Sequence, residues 1–132
     1  MNEITRIPLQ AKYKRDNGVF VLDANMPLPD SFTLNERSLV HIPAGAIAGN
    51  HRHPRQEAFI CFQEGVELHW IDSAGEKHSQ AMHPTNGEGF LFVISPMVPH
   101  AIANKTAGAA MVMEYADGPA LAVEQIPVVE TL

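Results

Sequence analysis

The residues best placed to do chemistry lie in the segment Gly45-Ala46-Ile47-Ala48-Gly49-Asn50-His51-Arg52-His53-Pro54-Arg55-Gln56-Glu57. His51 and His53 are separated by one residue, and on an extended chain such residues face the same side. Pro54 cannot donate to a strand ladder, so the strand is expected to turn there. Glu57 then opens the returning apolar run 58–62. Two neutral imidazoles and a carboxylate suit a divalent first-row ion: iron, manganese, nickel, zinc or copper. They leave coordination positions open, as a catalytic metal requires. His100 is the candidate fourth ligand, with alternation placing His100, Ile102 and Asn104 on one face of a later strand.

These side chains need a scaffold of short strands. The ten prolines and nine glycines are spread along the chain and divide it into short runs. Strands are expected at 19–22, 37–42, 58–62, 66–71, 90–94 and 109–115, with a hairpin loop at 72–75. Residues 26–29 (MPLP) read as an extended lead-in, because each proline biases its predecessor away from the helical region. No window has a helical period long enough for a helix. Many short strands in a single domain of 132 residues imply a sandwich or barrel. The tail 119–132 reads as a last strand, an arm across a partner, or a partly loose segment.

The spacing resembles the cupins. Gly45, five residues, His51-Arg52-His53, three residues and Glu57 match their first motif. The family's six-residue gap to the next glycine is seven here, ending at Gly65. In the second motif Gly89, His100 and Asn104 fall in register, while Ser95 and Met97 stand where the family has proline and glycine. The resemblance implies an all-β, double-stranded β-helix (a jelly-roll barrel) of six to eight strands, as a single domain with its motif core at 45–104. It also implies a metal inside, held by His51, His53, Glu57 and His100. Segments 1–36 and 117–132 would then pack on the barrel or serve as dimer arms. Among cupins, the HRHP stretch, the longer gap to Gly65 and the segment SPMVPH at 95–100 are similar to small members of polysaccharide and nucleotide-sugar pathways.

Plainer alternatives stand beside this. The first histidines could be solvated in a polar turn, or form a metal-free pocket doing acid–base or sugar-binding work. Of the other histidines, His41 reads as a hydrogen-bonded strand residue, His69 as facing either solvent or cavity, and His78 and His83 as surface residues. Arg52 projects opposite to the histidine pair. Arg55 lies in the corner, within possible reach of a substrate anion. Cys61 reads as a small buried apolar residue, Met111 and Met113 as packing residues, and Trp70 as core.

Composition narrows the classes. Nine Lys and Arg against fifteen Asp and Glu give a formal net charge of -6, so nucleic acid is an unsuitable partner. The lone cysteine forms no intramolecular disulfide, which suits a reducing compartment. No apolar run is long enough to span a membrane, and residues 1–10 lack a signal-peptide pattern, so the expected location is the cytoplasm. The expected function is a metal-binding enzyme acting on a small carbonyl or hydroxylated, sugar-like compound by isomerisation, epimerisation or oxygenation. A non-catalytic binding module and a metal-independent nucleotide-sugar isomerase are the alternatives. Glu57 cannot be ligand and free base at once, so the base must come from another residue. The apolar strands and tail suggest a homodimer.

Overall fold

A computed structural model describes residues 3–85 and 87–132. Among these the chain is all β, with no helix. The strands are β1 (Ile4–Pro8), β2 (Ala11–Lys14), β3 (Phe20–Leu22), β4 (Glu36–Ile42), β5 (Ile47–Arg52), β6 (Glu57–Ile60), β7 (Val66–Ile71), β8 (Lys77–Ala81), β9 (Phe90–Ile94), β10 (His100–Asn104), β11 (Ala110–Ala116) and β12 (Glu124–Gln125). Two five-stranded antiparallel sheets face each other, in the orders β1-β9-β6-β11-β4 and β12-β5-β10-β7-β8. A separate β2-β3 ribbon completes the set. The barrel is thus larger than the six to eight strands expected, because β1, β12 and the ribbon are added to it.

The core lies between the sheets. Phe59, Cys61, Leu68, Phe92, Ile102 and Val112 are among its buried members. A second apolar layer explains why the runs in β6 and β9 do not alternate. Ala58, Ile60, Leu91 and Val93 point away from the barrel interior and are covered by Leu9, Phe32 and neighbouring residues of the N-terminal segment. Strands buried on both faces read as continuous apolar runs. The N-terminal segment therefore packs on its own barrel, with β1 paired to β9. The tail does likewise. β12 pairs with β5, and the Asn50 side chain accepts from the Val128 and Val129 amides and donates to the Val129 carbonyl. Neither segment is needed as an arm to a partner to find a packing surface.

The β7–β8 hairpin forms as expected, with the Asp72 amide donating to the Glu76 carbonyl and the Asp72 side chain capping the Ala74 and Glu76 amides. The two departures in the second motif also have local causes. The Ser95 amide donates to the Glu3 carbonyl, a bond that proline could not make. Met97 adopts φ 65°, the left-handed region that glycine occupies most easily. Its amide donates to the His53 carbonyl at 2.8 Å, tying the loop before His100 to the histidine corner.

Candidate metal centre

A bulge in β5 aims the first two histidines. His100 pairs with His51 and Ala101 with Gly49, which leaves Asn50 as the extra residue. Asn50 has φ 57° and Gly49 φ 94°. A Cβ on Gly49 would come within 2.9 Å of the His100 carbonyl oxygen, so the close approach of β5 to β10 requires glycine there. The bulge sends the Asn50 side chain outward to the tail and re-aims His51 towards the interior, a common use of bulges beside sites. His53 follows in the corner, Glu57 starts β6, and His100 starts β10 opposite His51.

All four sequence-predicted ligands come together. One donor atom from each of His51, His53, Glu57 and His100 lies within 4.8 Å of every other. The imidazole centroids are 4.9 to 5.2 Å apart. Glu57 Oε1 lies 3.0 Å from His53 Nε2 and 3.0 Å from His100 Nε2. His53, Glu57 and His100 are buried, while His51 is half-buried. The cavity that His51, Glu57 and His100 share is small, about 50 Å³, and is also lined by Val40, Phe59, Ile102 and Glu114.

Charge and tautomer make the cluster unusual. The His100 Nδ1–H donates to the Val98 carbonyl at 2.9 Å. A neutral His100 therefore turns the lone pair of Nε2 towards a Glu57 oxygen that is itself an acceptor. Only a proton or another cation between them resolves that meeting. His53 Nε2 stands 3.0 Å from Oε1 but off the hydrogen-bond axis, and Nδ1 is also unpartnered among the described residues. Burial, then repulsion from His100 and His53, lowers the His51 pKa to about 4, so that ring is neutral at pH 7. Burial opposes charge on His53, but contact with Glu57 outweighs it and raises the pKa. For Glu57, burial favours the protonated form, yet His100 and His53 hold the carboxyl well below the usual carboxylate range.

A metal fits this set. Two ligands about 2.1 Å from one ion and about 90° apart stand about 3.0 Å from each other, against about 3.4 Å for a tetrahedral pair. The Glu57–His53 and Glu57–His100 spacings match the former. The unpartnered nitrogens of His53 are what a buried imidazole awaiting a ligand would show.

Arg55, which the sequence left open as a contact for a substrate anion, is committed to bonds within the chain. Its Nη2 and Nε bond Glu57 Oε2 at 2.6 and 3.0 Å, and its Nη1 bonds Glu36 and the Gly118 carbonyl. Its side chain is only 9% exposed. The guanidinium fork thus fixes Glu57 with Oε1 turned to the histidines. Arg52 does point away, bonding Glu124 on the outer surface. His41 is an exposed residue of β4, in ladder register with Met111, and His69 lies beside Glu67, outside the cluster. His78 is exposed, stacked on Trp70 and bonded to Asp72; Trp70 is half-buried and packs against the core, as expected. His83 is half-buried rather than a surface residue. Cys61 is buried and unpaired, with burial pushing its thiol up, as expected of a packing residue. Met111 and Met113, expected to pack, are exposed instead. Asn104 shares the His100 face but bonds the Ile42, Pro43 and Gly108 carbonyls, so it is structural. Asp72, Glu76 and His78 also bring donors within 4.8 Å, but on an exposed hairpin.

Sequence reasoning missed Glu114. It lies on the inward face of β11, with Ala110 and Val112, and lines the site cavity. A carboxylate at an inward position of an otherwise apolar run was the available signal.

No protein-family model and no curated protein matches the sequence. Solved structures share the fold. The sugar 3,4-ketoisomerase QdtA of Thermoanaerobacterium thermosaccharolyticum, in complex with TDP, is 13% identical with a TM-score of 0.68, covering 89% of this chain and 82% of its own. A dTDP sugar isomerase from Desulfovibrio desulfuricans G20 is 15% identical with a TM-score of 0.71, covering 93% and 84%. The dTDP-6-deoxy-D-glucose-3,5-epimerase RmlC of Legionella pneumophila, in complex with dTDP-4-keto-L-rhamnose, is 13% identical with a TM-score of 0.70, covering 90% and 69%. The chain thus shares the double-sheet jelly-roll fold of these sugar isomerases and epimerases.

Proposed function

We propose that the chain is an isomerase for a small carbonyl or hydroxylated, sugar-like compound, with a divalent transition metal held by His51, His53, Glu57 and His100. The observation that carries the metal is the cluster itself: a buried His53 with no hydrogen-bond partner among the described residues, and a His100 lone pair turned to Glu57. The similar structures named above support isomerisation or epimerisation and lend nothing to oxygenation. A bound metal would supply Lewis-acid polarisation of the substrate carbonyl. The chain supplies the rest. Arg55 locks Glu57 as a ligand, the β5 bulge orients His51, and the apolar wall of Phe59 and Ile102 limits water. Ligand pockets usually measure about 300–1,000 Å³. A cavity of about 50 Å³ admits only the reacting end of a substrate.

A second reading is a nucleotide-sugar isomerase that needs no metal. The comparisons favour it over metal dependence, since the ketoisomerase and the epimerase hold TDP or a dTDP-sugar on the same fold. In that case the His100–Glu57 pair would be an acid–base unit rather than two ligands. Elemental analysis, metal removal and add-back separate the two. A stoichiometric ion whose loss abolishes isomerisation, and whose return restores it, supports the first reading. Undiminished isomerisation by metal-free protein supports the second. Bound metal with no turnover leaves a binding module.

We also infer that two copies associate. Strand β4 is a sheet edge, and Leu39 at its centre is 66% exposed beside the exposed Met111 and Met113. Light scattering that gives a monomer mass would remove this inference. A reducing, cytoplasmic setting, in keeping with the unpaired Cys61, belongs to the same proposal.

A further inference from the structure

Resting on the metal-dependent isomerase reading, we propose that Glu114 is the proton-transfer residue of the site. Isomerising an α-hydroxycarbonyl compound requires a base that takes a proton from carbon and returns it to the neighbouring carbon. The ligand cluster cannot provide one. Glu57 Oε2 is spent on Arg55, and Oε1 is turned into the histidines. His51, His53 and His100 give up the lone pairs in question when they ligate.

Among the described residues lining the cavity, Glu114 alone is ionisable and outside the cluster. Strand register places it opposite Phe59, diagonal to Glu57, on the inward face of β11. Its side chain is 19% exposed, so it is sheltered yet reachable. Arg55 Nη2 lies 3.6 Å from Glu114 Oε1, beyond hydrogen-bond distance. Four of the five Arg55 N–H groups bond Glu57, Glu36 and Gly118, so Glu114 has at most the second Nη2 N–H, and that only at 3.6 Å. A half-buried carboxylate on an otherwise apolar inward face, held to Arg55 only by a long ion pair, is a cost to the fold that suits a working group. Burial and the charge of Glu57 also raise its pKa, which brings it nearer to exchanging protons at neutral pH.

The step balances without an oxidant. Glu114 accepts the proton of the hydroxyl-bearing carbon as that C–H bond breaks. The electron pair forms the C=C bond of an enediolate, and the carbonyl oxygen takes the negative charge. The hydroxyl proton passes to that oxygen. Glu114 then returns its proton to the former carbonyl carbon, and the carbonyl is re-formed at the neighbour.

The test uses full-length protein, hydroxyacetone as probe, and D₂O. Deuterium entering the hydroxymethyl carbon is read by mass spectrometry, and metal content is measured in parallel. Wild-type protein is expected to exchange. Glu114→Gln is expected to lose about 100-fold or more in exchange rate with unchanged metal content, and Glu114→Asp to recover part of it. Exchange by Glu114→Gln at the wild-type rate overturns the role. Loss of metal together with exchange also overturns it, because Glu114 would then serve only to hold Arg55 and Glu57 in place. No exchange by wild-type protein, with or without metal, removes the isomerase reading itself and this role with it.

Discussion

Replacing Arg55 with methionine removes a charge but keeps most of the side-chain volume. The change strips two bonds from Glu57 Oε2, one from Glu36 and one from the Gly118 carbonyl. Glu57 is left 3% exposed, with only imidazoles for company. Breaking a buried ion pair by removing one partner costs about 3–5 kcal/mol. The Glu36 end lies nearer the surface at 38% exposure and adds little. We therefore expect a loss of about 3–4 kcal/mol at pH 7 in metal-free protein, or a fall in Tm on the order of 10 °C for a domain of this size. The pH dependence has a definite sign. The folded pKa of Glu57 lies below its unfolded value, so its contribution is present above about 4.5 and is lost as pH falls through the folded value. Without Arg55 that folded pKa rises, so the gap between wild type and variant narrows as the solution is acidified below pH 4.5. Arg55→Lys keeps the charge without the fork and should lose less. Urea unfolding at pH 7 and pH 4 measures each difference. A loss under about 1 kcal/mol at pH 7, or a gap that widens in acid, would refute this account of how Glu57 is held.

Three further outcomes follow from the same geometry. His53→Ala should lower metal affinity by more than the roughly 10–100-fold typical of a ligand's supporting partner, while the protein stays folded; calorimetric titration reads this directly. Metal affinity should fall as pH drops from 8 to 5, because His53, whose pKa is raised, must lose a proton to bind. His51, lowered to about 4, adds no slope in that range, and affinity that stays flat from pH 8 to pH 5 would contradict histidine ligation. Gly49→Ala must both adopt φ 94° and push a Cβ to 2.9 Å from the His100 carbonyl, so it should cost about 1–3 kcal/mol and weaken metal binding by displacing His51. Unchanged affinity in that variant would show that the bulge does not set the His51 position.

The parts legible in the sequence were those that depend on spacing alone. His51, His53 and Glu57 sit on either side of a proline corner, so local chain geometry nearly decides that they meet. His100 depended on the resemblance, because only the pairing of β10 with β5 brings it there. Six strands, β3, β4, β6, β7, β9 and β11, were visible as apolar segments, whereas polar ones such as β2 and β8 carry no such signal. The two-sided burial of β6 and β9 was not visible, since it depends on the N-terminal segment folding back over them. Arg55 shows the limit most clearly. A corner arginine looks available until long-range folding delivers Glu36 and Gly118 to it. The β5 bulge was likewise hidden, because an asparagine at positive φ is stabilised by tail residues 78 and 79 positions away.

Anomalous diffraction at the absorption edge of the metal found in the purified protein tests the central claim most directly. The account predicts a single strong peak inside the barrel, bounded by His51, His53, Glu57 and His100. Metal-loaded crystals with no peak there, or with density only at the exposed Asp72–Glu76–His78 hairpin, would contradict it.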